Sequence, residues 1–212
     1  MVENITTFYM LMGIPASGKT TWSKYLNGTI VNSDVLRKEI FGEYGLMYTE
    51  EFIEDEMKNK DTSNLSDKEL DLLKKKVASK KIFSLVDQKT IELLEKGISV
   101  IYDATNLQRK NRINILSKVR ELNIHTVGIF MDTPIDVCIV RNSKREYPVP
   151  DEVIYSMYNH MNRPYTGEGF DELYRIFTKW FIASKIFMKG TYTHANWFRN
   201  HSSSKIEEYS HW

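Results

Sequence analysis

A single cysteine, Cys138, stands in the 212 residues. That excludes a disulfide framework and a four-cysteine zinc site, and it fits a reducing, cytoplasmic setting. Ten glycines and five prolines fall short of the roughly 12% that the two make up on average. A collagenous, linker-dominated or low-complexity chain is thereby excluded. Charge of one sign is not in excess: 29 Lys and Arg against 28 Asp and Glu leave +1. A strongly cationic nucleic-acid coat protein is ruled out, a local basic site is not. No apolar run approaches the roughly 18 residues of a membrane span, so no membrane partner is expected. Met1-Val2-Glu3-Asn4 lacks the basic stretch of a secretory leader, and none is expected. What is present is 42% apolar and 12% aromatic residues, enough for one well-cored domain with an appendage.

The dominant pattern is strand, loop, helix, repeated. Thr7-Phe8-Tyr9-Met10-Leu11-Met12 is an apolar run that ends at Gly13, the signature of a buried parallel strand. Trp22, Tyr25 and Leu26 then take helical spacing until Asn27-Gly28 stops it. Thr29-Ile30-Val31 reads as a second strand, with Asp34 just past its end. The acidic cluster Glu50, Glu51, Glu54, Asp55 and Glu56 reads as solvated helix and loop. Ser66 and Glu69 have capping-box spacing and open a helix that should stop near Gly97. Ser99-Val100-Ile101-Tyr102 is a third strand, with Asp103 at its end, and Thr126-Val127-Gly128-Ile129-Phe130 a fourth. Between them, residues 107–122 are helical by period. Thr133 as cap and Pro134 in the first turn begin another helix. Pro148 and Pro150 break the chain, and Asp151 caps one more.

Gly13-Ile14-Pro15-Ala16-Ser17-Gly18-Lys19-Thr20 has the form G-x-x-x-x-G-K-[ST] between a strand and a helix. The glycines let backbone N–H groups turn inward around a β-phosphate. Lys19 reaches the β- and γ-phosphates and the Thr20 hydroxyl ligates Mg2+. Thr21 adds an α-phosphate contact or caps the surface. ATP and Mg2+ are the expected cofactors. The expected fold is α/β, a P-loop NTPase-type three-layer sandwich with a mostly parallel central sheet and a helical lid. Residues 1–166 would form the P-loop domain, with the lid around 141–150, and 167–212 a C-terminal extension packed on the core. Ligands of such sheets bind beyond the carboxyl ends of the strands, where Gly13, Asp34 and Asp103 should converge.

A P-loop does not by itself separate kinases from motors or GTPases. No guanine-selecting N-K-x-D is present; Asn59-Lys60-Asp61 lacks the spacing. Two clusters carry the choice. Asp34 follows the second strand, where a carboxylate can accept the proton of an attacking hydroxyl, or it simply caps a helix. Arg37, three residues on, holds an anionic part of the acceptor or lies on the surface. Arg141 and Arg145, spaced i and i+4, share one helix face. Two guanidiniums there suit a lid over a transferring phosphoryl group, or a solvated helix end.

Together the phosphate loop, Asn32-Ser33-Asp34 with Arg37, Asp103-Ala104-Thr105-Asn106-Leu107, and Arg141 to Arg145 resemble the 5′-hydroxyl polynucleotide kinases of phage and bacterial end repair. The likeness runs over roughly residues 6–162. It implies that Asp34 is the general base for a 5′-hydroxyl and that Arg37 grips the neighbouring phosphate. It further implies that Asp103 organises the P-loop side through metal-bound water, that Arg141 and Arg145 are lid arginines on ATP, and that a nucleic-acid 5′ end is the substrate. The phosphatase and ligase motifs of the longer family members are missing, and residues 42–97 match poorly. A small-molecule kinase with the same core is therefore one alternative, and a non-catalytic ATP-binding module another. The clusters Lys74-Lys75-Lys76, Lys80-Lys81 and Arg109-Lys110-Arg112 are either a phosphate-binding surface or wet helix faces. Cys138 reads as core. At the C-terminus, Trp180, Phe181, Phe187, Tyr192, Trp197, Phe198, Tyr209 and Trp212 surround His194, His201 and His211. Packing on the core is preferred there over base stacking or a metal site, whose spacing fits no standard zinc pattern.

Overall fold

A computed structural model describes residues 5–42 and 47–177, and the backbone of 182–186. The C-terminal aromatic and histidine cluster named above lies outside the described residues. The chain divides into two compact units, one of residues up to Ile30 and from Leu93 onward, the other of Val31–Glu92.

The strands are β1 (Thr7–Met12), β2 (Thr29–Asn32), β3 (Val100–Asp103), β4 (His125–Asp132), β5 (Glu172–Phe177) and β6 (Ile182–Ile186). They form one sheet in the order β2-β3-β1-β4-β5-β6. β1 is parallel to β3 and β4, and β4 to β5; β6 runs antiparallel at the edge. The sheet is thus mostly parallel, as the strand-helix alternation predicts. Near-continuous apolar runs are what parallel strands covered on both faces require. Phe8, Met10, Leu11 and Met12 are buried accordingly. Leu11 pairs with Asp103 and Met12 with Phe130, so the carboxyl ends of the three central strands share one edge. Chain order passes from β3 on one side of β1 to β4 on the other, which makes the end of β1 a topological switch point.

The helices of the first unit are α1 (Lys19–Ser23), α5 (Arg109–Glu121), α6 (Ile135–Asn142) and α7 (Asp151–Asn159). Leu11, Leu26, Ile101, Ile129, Met131 and Ile176 form one core cluster. Ile14, Leu107, Cys138 and Ile154 form a second, beneath α6 and α7. Three local readings change. Pro134 and Pro150, not Thr133 and Asp151, are the N-cap residues of α6 and α7. The Thr133 hydroxyl is spent elsewhere, donating to the Ser17 carbonyl at 2.8 Å. α6 also ends at Asn142, so Arg145 is not on a helix face with Arg141. The reason is the buried Asn142 side chain. Its Nδ2 donates to the Val149 carbonyl at 2.6 Å and its Oδ1 accepts from the Val149 amide at 3.1 Å. That clamp folds residues 143–148 into a closed loop and leaves the helix no straight continuation.

The second unit holds α2 (Ser33–Phe41) and α3 (Glu50–Met57), while α4 (Asp67–Glu95) runs through most of it. Ser66 and Glu69 form the predicted capping box: the Ser66 amide donates to Glu69 Oε2 at 2.9 Å and the Glu69 amide to Ser66 Oγ at 3.4 Å. Gly97, with φ 74, ends the helix as read. Ile53, Val77 and Ala78 are the small core here. Lys74, Lys75 and Lys81 pair with Glu50, Asp71 and Glu56. Lys74 and Lys81 therefore answer the acidic cluster, while Lys75 pairs with Asp71 of its own helix.

Candidate functional site

The phosphate loop leaves β1 at Gly13, with φ 143. A Cβ there would lie 2.7 Å from Ser17 Oγ and 3.0 Å from the Met131 carbonyl oxygen, so no larger residue fits. Ala16 and Gly18 also have positive φ, 60 and 106. For Ala16 this is a strained conformation, of the kind held at functional sites by their surroundings. Alternation of this sort turns backbone N–H groups into a concave anion nest. Lys19 Nζ curls back over the loop, donating to the carbonyls of Gly13 at 2.8 Å and Ile14 at 3.0 Å. Ile14 and Pro15 are buried, while Thr20 and Thr21 are exposed at the start of α1.

Neighbouring segments fix the loop. The Gly13 amide donates to the Thr105 carbonyl at 2.9 Å, and Asn106 Nδ2 donates to the Leu11 carbonyl at 2.7 Å. Thr133 holds Ser17 from the β4 side. Asp103 is buried at the end of β3. Arg141, in the last turn of α6, reaches back: its Nη1 is 3.9 Å from where a Cβ would stand on Gly18. Burial pushes the Cys138 thiol up to about 11, and the nearby Arg141 and Lys19 cations pull it partly back. The thiol is a packing group, as its sequence context predicts. Arg145 is exposed in the closed 143–148 loop. Asp34 and Arg37 belong to the second unit. Asn32, not Asp34, caps α2: its Oδ1 accepts from the amides of Asp34 at 2.7 Å and Val35 at 3.1 Å. The Asp34 carboxylate is thus left to Arg37, whose Nη1 is 3.0 Å from Oδ1.

The residues present suit an anion. The Ser17 hydroxyl is buried with no hydrogen-bond partner, an arrangement that is costly unless a ligand completes it. A family profile described as an AAA domain matches residues 8–164. The chain belongs to this AAA domain family. Within it, the sheet and the phosphate loop are those of the P-loop kinase fold. The chain is 28% identical over 171 residues to the L-seryl-tRNA(Sec) kinase of Methanococcus maripaludis, covering 76% of this chain and 55% of that protein. It spans only about half the length of that curated relative. A sugar kinase from Janibacter sp. HTCC2649 superposes with a TM-score of 0.53 at 18% identity, over 82% of this chain and 86% of that one. A chain of the Pnkp1/Rnl/Hen1 RNA repair complex matches with a TM-score of 0.49 at 21% identity, over 90% of this chain and 51% of that one.

Sequence reasoning missed two side chains that hold segments beside the phosphate loop: Thr133 on the Ser17 carbonyl and Arg112 on the carbonyls of Asn106 and Leu107. Thr133 was hidden by its position before Pro134, which mimics a helix cap. Arg112 sits in a basic run but is buried, with no exposed side-chain surface.

Proposed function

We propose that this AAA domain is an ATP-dependent phosphotransferase acting on the 5′-hydroxyl end of a nucleic acid. The bond between the γ-phosphorus and the β,γ-bridging oxygen breaks, and a bond from the acceptor oxygen to that phosphorus forms. The acceptor proton passes to the Asp34 carboxylate, and ADP leaves. Lys19 exchanges its two loop carbonyls for phosphate oxygens. Arg141 and Arg145 offset charge on the transferring group. Thr20 would hold Mg2+, which would supply positive charge against the charge developing on the phosphates. Asp103 supports that side of the site, Thr21 adds an α-phosphate contact, and residues 13–18 supply the nest.

One observation carries the acceptor assignment. Asp34 is engaged by Arg37 Nη1 alone of the guanidinium nitrogens, while Arg37 Nε is buried and has no hydrogen-bond partner. A donor left over beside a candidate base suits a second anion next to the reacting hydroxyl, as a phosphate flanking a 5′ end would be. The test is Arg37→Ala. Loss of a charge-assisted contact raises the KM for a 3′-phosphonucleoside acceptor about ten-fold or more, while the KM for ATP stays put. Equal turnover of nucleosides with and without the 3′-phosphate by the wild-type protein would overturn the reading. A second reading, a hydroxyl on a charged tRNA or small molecule, draws support from the 28% identity to a seryl-tRNA kinase.

A further inference from the structure

Arg112 stands where α5 should carry an apolar residue. Its helical partners Ile115, Leu116 and Val119 are all buried. The side chains of Arg112 and Glu168 have no exposed surface. Arg112 Nε donates to Glu168 Oε2 and Nη2 to Oε1, both at 2.6 Å. The remaining nitrogen, Nη1, donates to the carbonyls of Asn106 at 2.9 Å and Leu107 at 3.0 Å. Every nitrogen of the guanidinium is therefore committed, Nε and Nη2 to the carboxylate and Nη1 to one loop.

A buried ion pair is weak evidence for stability, because desolvation of both charges offsets their attraction. Its geometry has to be explained by what it holds. The loop it holds is the one that meets the start of the phosphate cradle: Thr105 accepts from the Gly13 amide and Asn106 Nδ2 donates to the Leu11 carbonyl. Asn106 is kept at φ 49, a left-handed conformation that Asn tolerates but that needs support. The Asn162 amide, 3.0 Å from the Leu107 carbonyl, braces the same loop from outside. Glu168 ends a short 3-10 turn, Thr166–Glu168. Gly169 follows it with φ 107 and Arg120 Nη1 3.1 Å from its missing Cβ.

We infer that Arg112 and Glu168 are positioning residues: a buried bidentate pair that fixes residues 105–107, and through them Leu11 and Gly13, so that the phosphate loop is set before nucleotide arrives. The inference rests on the nucleotide-binding reading of that loop. Displacement of a reacting or binding group by 1 Å costs on the order of 100-fold, so loosening this brace should act on nucleotide affinity rather than on the acceptor.

Two variants test it. R112K keeps a cation beside Glu168 but has a single nitrogen in place of three. R112M/E168L removes both charges at similar volume and should regain or exceed wild-type thermal stability. Each is followed by calorimetric ADP binding and by amide hydrogen exchange over residues 9–20 in the nucleotide-free protein. The expected result in both is an ADP Kd raised about ten- to hundred-fold and faster exchange at the Gly13 amide, with the acceptor KM unchanged. Wild-type ADP affinity, or wild-type protection of Gly13, in stably folded R112M/E168L would overturn the inference and leave the pair a structural one. Wild-type protein that binds no ADP would instead strike the nucleotide reading, while the exchange comparison still decides the brace.

Discussion

Asp34→Asn is expected to lose phosphoryl transfer by about 10²- to 10⁴-fold in kcat, the range a positioned general base contributes, with ATP affinity and thermal unfolding preserved. The expectation comes from what the carboxylate does and does not do in the fold. It does not cap α2, since Asn32 Oδ1 takes both amides. Its side chain is 72% exposed, so an isosteric amide fits without repacking. The Asn amide oxygen can still accept from Arg37 Nη1, 3.0 Å from Oδ1, so the half-buried guanidinium keeps that partner. An enzyme reading thus predicts a sharp separation of activity from stability. Stopped-time transfer assays beside a thermal melt check it. Undiminished transfer would move the base elsewhere and revive the reading of a nucleotide-binding module without chemistry.

Lys19→Met is expected to reduce transfer by about 10²- to 10³-fold, the usual effect of deleting one preorganised donor to developing charge. Its weakening should be greater for ATP than for ADP, because the ammonium reaches the β- and γ-phosphates. Before nucleotide binds, the ammonium bonds the carbonyls of Gly13 and Ile14. Methionine keeps the length of the side chain but leaves those carbonyls without it, so some rise in loop mobility accompanies the kinetic loss. Paired ATP and ADP titrations with single-turnover transfer separate the two effects. Equal ATP affinity and turnover in Lys19→Met would contradict the cradle assignment itself.

Strands β1 to β4 and the loop were legible because their signals are local. A run such as 7–12 admits few alternatives when a glycine and a G-K-T follow it. The capping box at Ser66 and the stop at Gly97 were readable for the same reason. Arg141 and Arg145 illustrate the opposite. Their spacing promised a shared face, but the helix ends where Asn142 reaches forward to Val149, a contact that helical periodicity does not encode. Arg112 carried a signal that the basic run obscured: it falls three, four and seven residues before Ile115, Leu116 and Val119, on the buried stripe. Its partner Glu168 is 56 residues away, and nothing in the linear pattern joins the two.

The most direct measurement of the central claim is transfer of label from γ-labelled ATP to a 5′-hydroxyl oligonucleotide, run beside seryl-tRNA and a panel of hydroxyl metabolites. The predicted result is label on the 5′ end of the oligonucleotide, lost with Asp34→Asn. Label appearing on seryl-tRNA or a metabolite while the oligonucleotide stays unlabelled would contradict it.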